Sequence, residues 1–365
     1  MYLQVPIIDG DGHVLEDFGA IARFLPPAYR SFAPEGAIST TGIFPPLDHL
    51  HTGNFVGRPD INERLRHHSR VEDWMRFLED VGIRQAVLYP TAGLACGKIS
   101  DPEWACAATA AYNDWLHATY IAASPRFKGM ALLPMQDPAA AAAELRRAVD
   151  KLGMCGGMIP SNGLKSHLGS KEFYPVYEAA NELGCTLAVH GGCHDGFGFD
   201  DLNVFAAAHA LGHPFGIMIG FAGMLFNGVF DAFPNVRFAF LEAGVATFLT
   251  LLERCHGSYK AFPKYNAKGE LPRFLEGKRV ADYIVDLTKN GRLFIGCEGD
   301  EPSLAYASRV FGSGPFIYSS DFPHEVTTES CKEEIEELLD NEDLSEEARR
   351  AILHDNVIAC YRLDS

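Results

Sequence analysis

Apolar residues recur along this chain in two alternating rhythms. Short, nearly continuous runs of β-forming residues stand at Val5–Ile8, Gln85–Tyr89, Phe127–Leu133, Gly156–Ile159, Thr186–Val189, Arg237–Leu241, Arg292–Ile295 and Phe316–Tyr318. Between them lie stretches whose apolar positions return with helical spacing: Val71–Val81, Ala105–Ala123, Pro138–Leu152, Phe173–Leu183 and a pattern that begins after Gly244. Continuous apolar runs suit strands buried on both faces, and the helical spacing suits amphipathic helices laid against them. Asp137-Pro138 reads as an N-cap followed by proline at the first helical position, and Gly153 and Gly184 stand where helix C-caps belong. Strand and helix alternating through eight strands predict a parallel sheet closed into a TIM-type (β/α)8 barrel of the α/β class. A doubly wound open sheet is the rival, but no GxGxxG turn follows the first strand.

Two regions fall outside the repeat. Residues 17–69 are far too long for a loop between a strand and its helix, and they are rich in Pro, Gly, Phe and His. They are read as a cap inserted over the barrel mouth. Residues 329–365, with the acidic run Asp340-Asn341-Glu342-Asp343, are read as two acidic helices that close the fold. Residues 1–365 are thus expected to form one domain, without internal repeats or low-complexity tracts.

Composition narrows the partners. At 365 residues with 47% hydrophobic and 22% charged positions, the chain can bury a large core. A formal charge of −17 argues against nucleic acid and against an anionic membrane surface. It does not argue against an anionic small substrate, since a bound cation reverses the local field. Nine scattered cysteines, an odd count with no CxxC pair, fit reduced thiols better than a disulfide framework. Met1–Pro6 shows no basic stretch leading into an apolar core, so no signal peptide is expected. The longest apolar run, Phe215–Phe230, is broken by glycines and Asn227 and is read as too short to span a membrane. A cytoplasmic protein is expected.

The chemistry gathers at strand ends. Asp9-Gly10-Asp11-Gly12-His13 follows the first run, and residues two apart in a strand share a face, so Asp11 and His13 can aim at one point. His190 follows strand five, Glu242 strand six, and Asp321, within Ser320-Asp321-Phe322-Pro323-His324, strand eight. Barrels of this kind place reactive side chains at those ends, and carboxylates with imidazoles are the donors a divalent metal takes. Each residue also has an ordinary structural reading: a turn residue for Asp321, a core histidine for His190, a loop cap for Asp11.

IIDGDGHVLED, VEDWMRFLEDVGIRQAVLYPT, LAVHGG, FDAFPNVRFAFLEAG, YSSDFPHE and ILHDNVIACYRL occur in that order over nearly the whole chain. In these pieces the chain resembles the amidohydrolase superfamily, in the branch of 2-amino-3-carboxymuconate-6-semialdehyde decarboxylase and related aromatic acid decarboxylases. The resemblance implies metal ligation by Asp11, His13, His190 and Asp321, with Asp321 also the proton shuttle. The branch usually carries a catalytic histidine in an HxG pattern at the end of strand six. This chain reads Leu241-Glu242-Ala243-Gly244 there, which leaves Glu242 as ligand, orienting partner or acid/base, and His194 and His213 as stand-ins for the missing imidazole.

The expected function is a metal-dependent carbon–carbon lyase that decarboxylates an aromatic or unsaturated acid, with Asp321 and Glu242 as catalytic residues. Zinc is expected first and manganese second; Asp11 in place of a histidine hardens the site and moves the balance toward manganese. The alternative is hydrolysis of an amide, ester or lactone by metal-activated water. A barrel that only binds its ligand is the non-enzymatic reading, and the retained ligand set argues against it. Glu16 and His324 are read as residues that orient ligands. Arg58, Arg64 and Arg66 are candidates for a substrate carboxylate or simply a solvated loop. Cys193 beside His194 suggests a nucleophile pair, although sequence neighbours rarely reach the needed geometry. The family resemblance also implies a homodimer.

Overall fold

The computed structural model describes residues 6–30, 42–50, 70–262, 278–324 and 326–364. Its centre is one sheet of eight parallel strands in chain order: β1 (Ile7–Val14), β2 (Ile83–Pro90), β3 (Phe127–Leu132), β4 (Gly156–Pro160), β5 (Thr186–His190), β6 (Arg237–Phe240), β7 (Leu293–Cys297) and β8 (Phe316–Tyr318). Helices α1 (Val71–Val81), α2 (Pro102–Leu116), α3 (Pro138–Leu152), α4 (Tyr174–Leu183), α5 (Phe205–Phe226), α6 (Val245–Ala261), α7 (Val280–Lys289) and α8 (Leu304–Phe311) lie between the strands. β1 and β8 meet through two backbone bonds, Asp321 N–H to the Asp11 carbonyl (3.0 Å) and His13 N–H to the Phe322 carbonyl (2.7 Å), so the sheet is a nearly closed barrel.

Local signals place most of these elements. Asp137 caps α3 by accepting from the N–H groups of Ala139 and Ala140, and Gly153 ends it in the left-handed conformation at φ 65°. Gly184 ends α4 in the same way at φ 58°. α2 begins at Pro102, earlier than its apolar pattern suggested, because Asp101 caps it there, and it passes at His117 into a π turn.

Two expectations need correction. β1 does not stop near Ile8 but runs through Asp9, Asp11 and His13 to Val14, with a register shift against β2 between Asp9 and Gly12. Buried polar residues inside a strand hid it from a reading based on apolar runs. The glycines allow the close packing: a Cβ on Gly12 would lie 2.4 Å from Cη2 of Trp74.

The first part of the broken apolar run, Phe215–Phe226, belongs to α5, a 22-residue helix capped by Asn227 that is long and apolar enough, by length and composition alone, to cross a membrane. Its glycines at 212, 216 and 220 face His194, Ser161 and Leu168, so they press the helix onto the loops after β4 and β5 instead of ending it. The closing segment forms two helical runs, as expected: α9 (Thr328–Asp340) and an unbroken one from Glu346 to Tyr361 that passes through a π turn at Ala351–Asp355.

Within residues 17–69, the described parts form two short helices, Phe18–Ala22 and Pro27–Arg30, and bury Ile21, Leu25, Ile43 and Phe44. Arg58, Arg64 and Arg66 lie outside the described residues. All nine cysteines are free thiols.

The β1–β8 seam is locked by Asp9. Its carboxylate accepts from the N–H of Asp11 (3.1 Å), the N–H of Ser320 (3.0 Å) and the hydroxyl of Ser320 (2.7 Å). Burial pushes this carboxyl up to about 6, against the pull of those hydrogen bonds. Asp9→Ala leaves two buried N–H groups without an acceptor and is expected to cost about 2–4 kcal/mol in urea unfolding. Unchanged stability would show that the seam closes without it.

Candidate metal centre and active site

Four segments deliver the site. β1 carries Asp11 and His13, β5 ends on His190, Glu242 stands two residues beyond β6, and Asp321 stands three beyond β8. Nε2 of His13 lies 3.6 Å from Oδ1 of Asp11, 3.3 Å from Oε1 of Glu242 and 3.4 Å from Oδ1 of Asp321. Nε2 of His190 lies 3.6 Å from Oδ1 of Asp11. Donors that share one ion at about 2.1 Å stand roughly 3.0–3.4 Å apart. The spacing is therefore close to that of a common ligand shell. The five residues that the sequence put at strand ends come together, and two overlapping groups, Asp11-His13-His190-Glu242 and His13-Glu242-Asp321-His324, each hold their donor atoms within 4.8 Å of one another.

The histidine tautomers suit a cation. Nδ1 of His13 donates to the Pro90 carbonyl (2.7 Å) and Nδ1 of His190 to the Gly191 carbonyl (2.9 Å), which leaves both Nε2 lone pairs facing the centre. Those two nitrogens and both oxygens of Asp11 are buried and have no hydrogen-bond partner. A buried carboxylate left this way costs several kcal/mol unless a cation meets it, so these residues fit a divalent ion.

The same demand shows in the titrations. Burial pulls His190 down, yet Glu242 and Asp11 outweigh it and push the imidazole up to about 10; the anions around Nε2 draw a cation there, and a metal ion would take the place of the proton. Burial raises Glu242, but the imidazoles of His190 and His213 hold it well below the usual carboxylate range. Asp321 is pushed well above that range by burial and by the charge of Glu242.

Both of these acids sit in strained backbone. Glu242 (φ 55°) and Asp321 (φ 54°) occupy the left-handed region, which costs non-glycine residues about 1–3 kcal/mol each. At Asp321 the neighbouring residue anchors the turn. Phe322 is buried, stacks on Phe77 with ring centroids 3.7 Å apart, and meets the Trp74 edge at 4.9 Å.

His324 donates from Nδ1 to Oδ1 of Asp321 (2.7 Å), while its Nε2 accepts from the Thr91 hydroxyl (3.0 Å). Glu16 serves the turn after β2, accepting from Ala92 N–H (3.0 Å) and Gly93 N–H (2.8 Å), and does not touch a ligand. Cys193 and His194 are not assembled as a nucleophile pair. The thiol is buried and burial raises it, which opposes thiolate formation, and Nδ1 of His194 pairs with Asp48 (2.7 Å).

Of the two stand-in histidines, His213 on α5 reaches the site and contacts Oε2 of Glu242 through Nδ1, while His194 packs one ring farther out, 4.9 Å from His213. Thr91 and Asp48 were not legible as site residues, since each matters only through a histidine distant in sequence.

A cavity of about 330 Å³ opens above this floor. Leu47, Leu94, Phe205, Pro214 and Ala243 give it apolar walls, and Glu242, Asp321, His213 and His324 supply polar groups. Among the described residues no lysine or arginine lines it.

A family model described as Amidohydrolase matches residues 8–363. A 2-amino-3-carboxymuconate-6-semialdehyde decarboxylase of Dictyostelium discoideum is 26% identical over 199 residues, and the match spans 54% of this chain and about half (51%) of that relative. A gamma-resorcylate decarboxylase of Polaromonas sp. is 24% identical over 316 residues, covering 80% of this chain and 86% of that one. The structure of a 5-carboxyvanillate decarboxylase from Novosphingobium aromaticivorans, complexed with manganese and 4-hydroxy-3-methoxy-5-nitrobenzoic acid, shares the fold with a TM-score of 0.74 at 19% identity, covering 99% of this chain and 97% of that one. With a family match that runs from β1 to the end of the last helix, and a barrel whose strand-end acids and imidazoles converge, this chain belongs to the amidohydrolase family.

Proposed function

We propose that this chain is a metal-dependent decarboxylase of a small aromatic carboxylic acid, with Asp11, His13, His190 and Asp321 holding one divalent ion and Asp321 delivering the proton. The observation that carries this reading is the convergence of buried, unpartnered donors from β1 and β5 beside Asp321, an acid that burial and the charge of Glu242 push up. The curated relatives matched above are decarboxylases by name, which favours the lyase over the amide, ester or lactone hydrolase.

A bound ion supplies positive charge for the substrate carboxylate and a neighbouring oxygen and stabilises the charge that develops in the reaction. The apolar walls take the ring. Asp321, a quarter exposed at the side chain, faces the cavity with its Oδ1 aimed by His324. Its proton passes to the ring carbon that bears the carboxylate. The carbon–carbon bond then breaks, its electron pair returns to the ring, and carbon dioxide leaves. The carboxylate-rich donor set and the manganese of the related structure favour manganese over zinc, the reverse of the order expected from sequence.

Asp321→Asn is expected to lower carbon dioxide release from hydroxybenzoates by about 10²–10⁴-fold, the usual size of a general-acid contribution, with the fold intact by circular dichroism. A rate near wild type would remove Asp321 as the proton donor. His190→Ala is expected to purify without the ion that elemental analysis finds in the wild-type chain. Equal metal content in the two proteins would take His190 out of the ligand set.

A further inference from the structure

Where strand six ends, Glu242 divides its two oxygens. Oε1 lies 3.3 Å from Nε2 of His13, inside both groups of converging donors. Oε2 contacts Nδ1 of His213, a residue on the helix that crosses above β5. A carboxylate only accepts, so in this contact Nδ1 carries the hydrogen and donates it.

The contact depends on the residue after a ligand. Gly191 follows His190, and a Cβ built on it would lie 2.1 Å from Nδ1 of His213. Any larger residue there would push His213 away from Glu242. The backbone of Glu242 also lies in the left-handed region, at φ 55°. Three separate features, a glycine, a strained backbone and a helix-borne histidine, thus converge on the orientation of one carboxylate.

We propose that Glu242 is itself a metal ligand through Oε1, and that His213 is a positioning residue that fixes this carboxylate through Oε2. The assignment rests on the metal centre described under Proposed function. Strand six then supplies an oxygen donor where related decarboxylases are expected to carry an imidazole. Asp11, Glu242 and Asp321 with two neutral imidazoles form an oxygen-rich set, which suits manganese better than zinc. His213 acts on the ion only through Glu242, as outer partners of metal ligands do.

The test is Mn²⁺ titration of chelator-stripped protein, followed by the electron paramagnetic resonance of free Mn²⁺, with circular dichroism as the check on folding. Glu242→Gln is expected to weaken Mn²⁺ binding by well over about 100-fold, beyond the roughly 10–100-fold losses seen for outer partners. His213→Phe removes the contact on Oε2 and Gly191→Ala displaces His213 from it, and each is expected to weaken binding by about 10-fold. Wild-type affinity in folded Glu242→Gln overturns the ligand assignment. If Glu242→Gln does not fold, wild-type affinity in both His213→Phe and Gly191→Ala overturns the proposal, because the metal would then not sense the contact that fixes Glu242. Asp11→Asn separates the two levels: loss there without loss in Glu242→Gln defeats only this assignment. A wild-type chain that takes up no Mn²⁺ defeats the metal centre and this assignment together.

Discussion

The seam between β1 and β8 is the constraint on which the site depends. Asp9 and Ser320 are 311 positions apart in the chain, yet the Asp9 carboxylate accepts both the N–H and the hydroxyl of Ser320. Two backbone bonds continue the seam, through Asp11 and His13 on one side and Asp321 and Phe322 on the other. Asp11, His13 and Asp321 lie on the two sides of this seam, so closing the barrel brings these three side chains together. Aromatic packing of Phe322 against Phe77 and Trp74 secures the outer side of that junction.

The site is built against local preference. Glu242 and Asp321 both hold left-handed backbone, Asp11 is fully buried, and three carboxylates crowd two imidazoles. Each feature is unfavourable alone. A divalent cation offsets the charge, and the surrounding core holds the backbone. Strain and uncompensated charge gathered at one point are the physical signature of a functional centre. The environments of Glu242 and Asp321 are unequal: the imidazoles of His190 and His213 pull the first carboxyl down, while burial and the charge of Glu242 push the second up.

Much of the scaffold was legible in sequence because its signals are local. Val71–Val81 and Pro138–Leu152 form helices with the expected bounds, since the amphipathic pattern of the first and the Asp137 and Gly153 caps of the second act within a few residues. Asp11, His13, His190 and Asp321 were legible as candidates because a barrel fixes where strand ends point. What could not be read was tertiary. β1 continues through polar residues that only a closed barrel makes buried, and α5 runs through glycines that elsewhere would break a helix. The pairing of His213 with Glu242 follows from that unexpected helix, so sequence could name the histidine but not its partner.

The most direct measurement is carbon dioxide release from ortho-hydroxybenzoic acids by manganese-loaded protein, repeated after chelation and again after manganese is restored. The expected result is release that stops when the ion is removed and returns when it is replaced. Turnover indifferent to chelation would contradict the metal-dependent mechanism. A metal-loaded protein that hydrolyses esters or lactones and releases no carbon dioxide would contradict the decarboxylase assignment.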